Sequence, residues 1–359
     1  MAVKHRALVF AAPPPPVGGV SSIVAMLRQS LVETPGLGFA MPLVKQGGLL
    51  GALRPIANLW RLVQAALRVE RGGRVLFFSS AGASFYEKLA WLLLMRLCGR
   101  HAVVVMVDGN FPAYWESMPA LLRRVVRALA ASASITIGVQ SEQWRRYYQG
   151  IFPGVECVAV SATVTREFRT AFPWQDTASV PTVLYVGWMI PAKGVLDLLQ
   201  AFQRVHASCP QARLRMVGPL FDTASYWHSQ AQALGISACV DFVGPVHDRL
   251  MLIEALNAAT VFVLPSHAEG LPVALLEAMS LGVPCVGSDV GGISDLLNHG
   301  SAGIIVPPRD PGALALALDG LLRDPMRRNQ LSAHAVAHAR SAYGDAAFAA
   351  SYLNILGLR

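Results

Sequence analysis

Residues 261–297 read VFVLPSHAEGLPVALLEAMSLGVPCVGSDVGGISDLL. Four apolar residues, Val261, Phe262, Val263 and Leu264, are stopped by Pro265, the pattern of a buried strand. A short loop, 266–270, follows, and then a helix that runs to about Leu281. Pro272 suits the first position of that helix, where a missing N–H costs nothing. The helix is apolar on nearly every side, as a helix buried all round must be. Glu277 stands inside it. Desolvating a carboxylate is expensive, so Glu277 requires a hydroxyl or a cation. Glu269 precedes the helix, where unpaired N–H groups and the helix dipole favour an anion.

Seven residues separate the two carboxylates, roughly 12 Å along a helix axis at 1.5 Å per residue. An anion bridging that span with hydroxyls at both ends has the form of a nucleotide diphosphate sugar. The spacing E-x7-E after Pro265-Ser266, with Gly270-Leu271-Pro272, Ala278-Met279, G-x-P at 282–284 and Gly291-Gly292, resembles the donor site of family-4 glycosyltransferases. E-x7-E alone is a weak signal; the thirty-odd-residue context carries the resemblance. It implies a retaining enzyme of the two-domain GT-B fold. In that family the first Glu faces the donor sugar and the second holds the ribose, roles that fall on Glu269 and Glu277.

Other segments gain meaning from the same resemblance. Gly187-Trp188 ends a strand and Lys193-Gly194 opens the next helix. The family's basic residues here bind the donor diphosphate, which gives Lys193 a phosphate role; otherwise it is a solvated surface lysine. Trp188 stands where Arg is common, so one cation of the phosphate clamp is missing. Gly18-Gly19, between a strand and a helix, matches a loop that approaches the donor from the first domain; alone it reads as a turn. Asp108 ends a buried strand, where ligands of open α/β sheets bind. It occupies the His position of the family's His-Gly-Gly. It either meets a sugar or acceptor hydroxyl or caps the following turn. Gly291-Gly292 implies a loop closing round diphosphate and sugar, with Asp295 where Glu is usual. His267 reads as a loop residue, since the family requires no His there.

The rest of the chain agrees. With 359 residues, 53% hydrophobic and 14% charged, it is long enough for two domains and too apolar for disorder. Five cysteines, Cys98, Cys157, Cys209, Cys239 and Cys285, form no C-x-x-C pair. They predict a reducing, cytosolic setting without a zinc site. The apolar run 7–12 is too short for an export signal, and 7–27 is broken by Pro13 to Pro16 and by Gly18-Gly19. The sequence has no G-x-G-x-x-G and no P-loop, which argues against nicotinamide enzymes and P-loop NTPases. No D-x-D cluster appears where other glycosyltransferases hold a metal, so no metal or cofactor is expected. Net charge is +8, distributed as +10 to residue 176 and −2 beyond it. The basic half expects an anionic partner, and it lacks any nucleic-acid motif. Its Arg residues alternate with Trp and Leu over 55–74 and 88–100, as in helices seated on an anionic membrane. Each such helix alone also reads as packed on its apolar face with solvated arginines.

Strand and helix patterns alternate throughout. Strands are expected at 7–12, 39–44, 75–79, 102–107, 135–137 and 157–160, with helices at 20–31, 55–70, 85–97, 119–131 and 142–148. A second series has strands at 183–186, 214–217, 240–243, 261–264, 285–287 and 303–306. This predicts an α/β protein of two Rossmann-like parallel-sheet domains facing a cleft. Residues 1–175 form an acceptor domain and 176–359 a donor domain, with the linker at 170–181. The final helix, 345–358, either crosses back onto the first domain, as in the GT-B fold, or ends the second.

The reading is a retaining, metal-independent hexosyltransferase using a nucleotide diphosphate sugar donor and a glycan or polyprenyl-linked acceptor. Bacterial exopolysaccharide or cell-envelope polysaccharide assembly is the expected setting. The expected place is the cytoplasm, with the option of peripheral contact on the inner face of the plasma membrane. Two alternatives stay open: a GT-B sugar-nucleotide epimerase, and a non-catalytic GT-B scaffold, which Trp188 and Asp108 favour.

Overall fold

The computed structural model describes residues 4–11, 19–42, 49–132, 134–220 and 224–358. The chain divides into two compact units, Met1–Thr163 with Asp345–Arg359, and Val164–Gly344. The division falls after Thr163 rather than at 175, and the last fifteen residues join the first unit.

In chain order the first unit contains β1 (His5–Phe10), α1 (Gly19–Leu31), β2 (Leu37–Ala40), α2 (Leu49–Leu67), β3 (Val69–Ser79), α3 (Ala83–Leu97), β4 (His101–Met106), α4 (Phe111–Ser117), α5 (Ala120–Ser132), β5 (Ile135–Val139), α6 (Glu142–Ile151) and β6 (Glu156–Ala159). The second contains α7 (Arg166–Thr170), β7 (Thr182–Val186), α8 (Val195–Ser208), β8 (Arg213–Val217), α9 (Ala224–Ala233), β9 (Val240–Gly244), α10 (Arg249–Asn257), β10 (Val261–Leu264), α11 (Val273–Leu281), β11 (Cys285–Ser288), α12 (Ile293–Leu296), β12 (Ile304–Val306), α13 (Pro311–Arg323) and α14 (Pro325–Ala342). α15 (Asp345–Ile355) returns to the first unit.

The first sheet has the order β2-β1-β3-β4-β5-β6, all parallel. Its central strands are apolar without interruption over 7–10, 75–78 and 102–106, where both faces are covered. Leu8, Phe10, Val75, Phe77, Val104 and Met106 bury one face with residues of α2 to α6. The alternate residues Ala7, Val9, Leu76, Phe78, Val103 and Val105 bury the other with α1 and α15. α15 contributes Phe348, Tyr352 and Ile355, one helical stripe at i, i+4 and i+7. Arg74 Nη1 donates to the Ile355 carbonyl at 2.6 Å, and Ser351 Oγ accepts from Ser161 N at 3.0 Å. The final helix therefore packs on the first sheet.

The second sheet has the order β12-β11-β10-β7-β8-β9, again parallel. β7, first in sequence, lies between β10 and β8, so the topology reverses at the β7/β10 pair. Ligands of open α/β sheets bind at the carboxyl ends of such a pair. The expected linker 170–181 belongs to this unit. Trp174 is buried, its backbone N–H bonds Leu281 O at 2.8 Å, and its Nε1 bonds Ala259 O at 2.7 Å. Asp176 accepts from Arg328 Nη2 at 2.6 Å.

Helix starts differ from the sequence reading by one or two residues at α1, α3 and α5, and two further differences concern proline. α2 begins at Leu49 and carries Pro55 inside it. α11 begins at Val273, with Pro272 extended as its N-cap (φ −76°, ψ 109°). Glu269 thus stands in the loop, off the helix axis, and the 12 Å ruler from Glu269 to Glu277 does not apply.

Candidate active site

The site of the second unit is assembled from the loops that leave β7, β10 and β11. After β7, Gly187 donates its N–H to Val217 O at 2.9 Å. Trp188 follows and is 57% exposed, while its carbonyl accepts from the buried Tyr185 hydroxyl at 2.7 Å. Pro191–Lys193 form a single 3-10 turn, and Gly194 caps α8 in the left-handed region (φ 68°). Lys193 therefore precedes the helix by two residues rather than opening it. A Cβ on Gly194 would lie 2.0 Å from the Pro265 carbonyl oxygen, so glycine alone lets the β7 loop rest on the β10 loop.

From that turn the Lys193 ammonium reaches Glu269, with Nζ 2.7 Å from Oε1. Ser266, fully buried, donates its hydroxyl to the same oxygen at 2.7 Å. Glu269 is only 8% exposed, so its charge is held by a cation and a hydroxyl, as a buried carboxylate requires. Its Oε2 has no hydrogen-bond partner among the described residues and remains available to a ligand hydroxyl.

The β11 loop closes against the same segment. Gly291 has φ +55°, and a Cβ there would lie 1.9 Å from the Glu269 carbonyl oxygen. Gly292 N donates to Gly270 O at 2.8 Å, and Leu271 beyond it is buried. Glycines at 291 and 292 thus let one loop lie on the other's backbone. Asp289 accepts from Ser294 Oγ, and Asp295 lies in the first turn of α12.

Glu277 lies on α11, half-buried, with no hydrogen-bond partner among the described residues. Burial pushes its carboxyl up to about 7, against the opposing charge of Arg249. Arg249 itself pairs with Glu167 at 3.3 Å. A desolvated carboxylate of this kind is a strong acceptor awaiting donors, and paired hydroxyls supply them.

In the first unit, Asp108 follows β4. Its Oδ2 accepts from Ala81 N and its Oδ1 from Asn110 N, each at 2.8 Å. This is the turn-capping geometry, with both oxygens engaged by backbone. Gly19 is the first residue of α1, and Gly18 lies outside the described residues. Among the described residues, no three His, Cys, Asp or Glu side chains gather as metal ligands.

Sequence reasoning missed Ser266 as the second partner of Glu269, although the Pro-Ser dipeptide was in view. His267 stands in the loop between β10 and α11, and its Nε2 lies 2.6 Å from Asp197 Oδ2, a contact absent from the sequence reading. No spacing signal links two residues seventy positions apart.

Residues 180–324 match the family model described as Glycosyl transferases group 1. D-inositol 3-phosphate glycosyltransferase 2 of Catenulispora acidiphila is 33% identical over 211 residues, covering 56% of this chain and 48% of that protein. The chain spans about half the length of the curated relatives it matches. Sucrose-phosphate synthase from Thermosynechococcus elongatus has a similar structure, with a TM-score of 0.77 at 20% identity over 97% of this chain and 98% of that one. Anabaena HepE in complex with UDP-glucose gives 0.76 at 17% identity, over 98% and 99%. These likenesses show the fold, GT-B.

Proposed function

We propose, from the premise that the chain belongs through residues 180–324 to the glycosyl transferases group 1 family, that it moves a sugar from a nucleotide diphosphate sugar to an acceptor hydroxyl with retention of configuration. The observation that carries this reading is the Lys193–Glu269 pair at the β7/β10 switch point, beside a helix whose Glu277 is desolvated and without a hydrogen-bond partner among the described residues. Glu277 takes the ribose hydroxyls. Lys193 and the amides of the neighbouring loops take the diphosphate. Glu269, through Oε2, takes a hydroxyl of the sugar.

The reaction is a front-face displacement. The bond from the anomeric carbon to the phosphate oxygen breaks, and the acceptor oxygen bonds that carbon from the same side. The acceptor's proton passes to the departing phosphate oxygen, and the nucleoside diphosphate leaves. The protein supplies orientation and charge rather than a nucleophile. Asp108, with both oxygens on backbone amides, holds the loop that would meet the acceptor. UDP-sugars head the candidate donors, since HepE binds UDP-glucose. The acceptor is a glycan or polyprenyl-linked sugar of bacterial exopolysaccharide or envelope assembly, met at the inner face of the membrane by a basic first unit.

The test is a panel of nucleotide diphosphate sugars with nucleoside diphosphate release as the readout, on wild-type protein and Lys193→Ala. One donor should be hydrolysed slowly. The variant should turn over about a hundredfold more slowly at saturating donor, the effect of losing one charge-stabilising group. A panel with no binding would make the chain a scaffold, and release of an epimerised sugar nucleotide would make it an epimerase.

A further inference from the structure

Lys193 sits in a three-residue turn with a left-handed glycine after it, and no long regular element fixes its position. Its neighbours on both sides are nevertheless tied to one short segment of the β10 loop. On the N-terminal side, Ala192 O accepts from His267 N at 2.9 Å. On the C-terminal side, Gly194 rests on the Pro265 carbonyl, and Asp197 in the first turn of α8 meets His267 Nε2 at 2.6 Å. His267 therefore grips the turn with its backbone and the following helix with its ring. Two residues further on, Glu269 receives the Lys193 ammonium.

The chemistry of the pair is directional. A carboxylate only accepts, so His267 Nε2 carries the hydrogen, and Asp197 fixes both the tautomer and the ring orientation. Both side chains are largely buried, 16% and 18% exposed, so water competes weakly for the bond.

We infer that Asp197 and His267 are positioning residues that hold Lys193 beside Glu269 in the geometry needed for the donor diphosphate. The inference rests on the phosphate role proposed for Lys193. Neither side chain touches the donor in this scheme. Their effect is confined to the diphosphate end, whereas Glu277 serves the ribose end from a different element.

The test titrates the full-length protein with UDP and GDP, and separately with uridine and guanosine. His267→Ala and Asp197→Ala should each weaken nucleoside diphosphate binding about tenfold, equivalent to about 1.4 kcal/mol. Nucleoside affinity should stay within about twofold. The double variant should be no weaker than the worse single variant, because one bond is being removed twice. His267→Gln, which keeps a donor N–H at similar reach, should recover most of the loss. Wild-type binding of UDP or GDP that neither single variant changes would overturn the inference alone. So would equal losses for nucleoside and nucleoside diphosphate, which indicate general loosening of the fold. Wild-type protein that binds neither diphosphate would overturn the donor reading, and the inference with it.

Discussion

Glu277 shows how one residue can carry the sign of a pH dependence. Its carboxyl is raised from 4.5 to about 7 by burial, with Arg249 opposing. In the unliganded protein the raised value means that the folded state resists ionisation. Stability from this group is full below the unfolded value and is lost as pH rises through about 7. The loss amounts to about 3 kcal/mol, an order-of-magnitude figure. Glu277→Gln should therefore flatten the fall in unfolding midpoint between pH 5 and pH 8, which a thermal melt series measures. Ligand binding should run the other way. Ribose hydroxyls favour the ionised form, so wild-type affinity for a nucleoside diphosphate should weaken as pH drops through about 7. The Gln variant should bind more weakly at pH 8, by the worth of a charge-assisted hydrogen bond, about 1.5–3 kcal/mol. A Gln variant with the wild-type pH profile would remove Glu277 from the ribose site. The need for a partner was legible in sequence because a carboxylate in an apolar helix has a cost that must be met. The Lys193–Glu269 contact was not, because 76 positions separate the two and only the folded sheet brings them together.

Elements were legible where burial forces the pattern. Each of the twelve strands among the described residues overlaps an expected one, most plainly where cover on both faces makes the segment apolar, as over 75–78 and Val261–Leu264. Ends were less legible. Pro272 and Pro55 each fit a helix start, yet one is an N-cap and the other lies inside a helix. The stripe of Phe348, Tyr352 and Ile355 suits either sheet, so sequence left the place of α15 open, and contact with Val9, Leu76 and Val105 decides it. Glycine loops were legible as positions but not as surfaces. Gly291 was assigned to a loop around a ligand; its structural partner is the backbone of Glu269. At φ +55° and 1.9 Å, a methyl group has neither conformational nor spatial room. Gly291→Ala should cost about 1–3 kcal/mol and displace the Glu269 loop, lowering both melting temperature and donor hydrolysis. Unchanged values of both would show that the two loops can separate without consequence.

At the scale of the whole molecule, the two units carry opposite charge. The first has 18 Lys+Arg against 8 Asp+Glu, and the second has 12 against 14, so the split is +10 and −2. The basic residues of the first unit are not equivalent. Arg100 is buried and donates to the carbonyls of Ala66 and Cys98, Arg74 is tied to α15, and Trp91 lies in the core beneath Lys88. Sequence left two readings for these helices, seated on a membrane or packed with solvated arginines, because alternation of Arg, Trp and Leu does not distinguish a packed side chain from an exposed one. The C-terminal part of α2 does present such a face. Ile56, Trp60 and Leu67 are each more than 60% exposed, with Arg61 and Arg68 beside them. No helix among the described residues is long and apolar enough to cross a membrane. Each basic residue near an anionic surface adds about 1 kcal/mol, screened over about 10 Å at 0.1 M salt. The protein should sediment with phosphatidylglycerol vesicles at low salt, release at high salt, and bind neutral vesicles weakly. Trp60→Ala with Ile56→Ala should reduce the low-salt binding while leaving the melting temperature within about 1 °C, because both side chains face solvent. If the wild-type protein ignores anionic vesicles at low salt, the membrane reading fails and the charge asymmetry of the two units is a solubility feature without a membrane meaning.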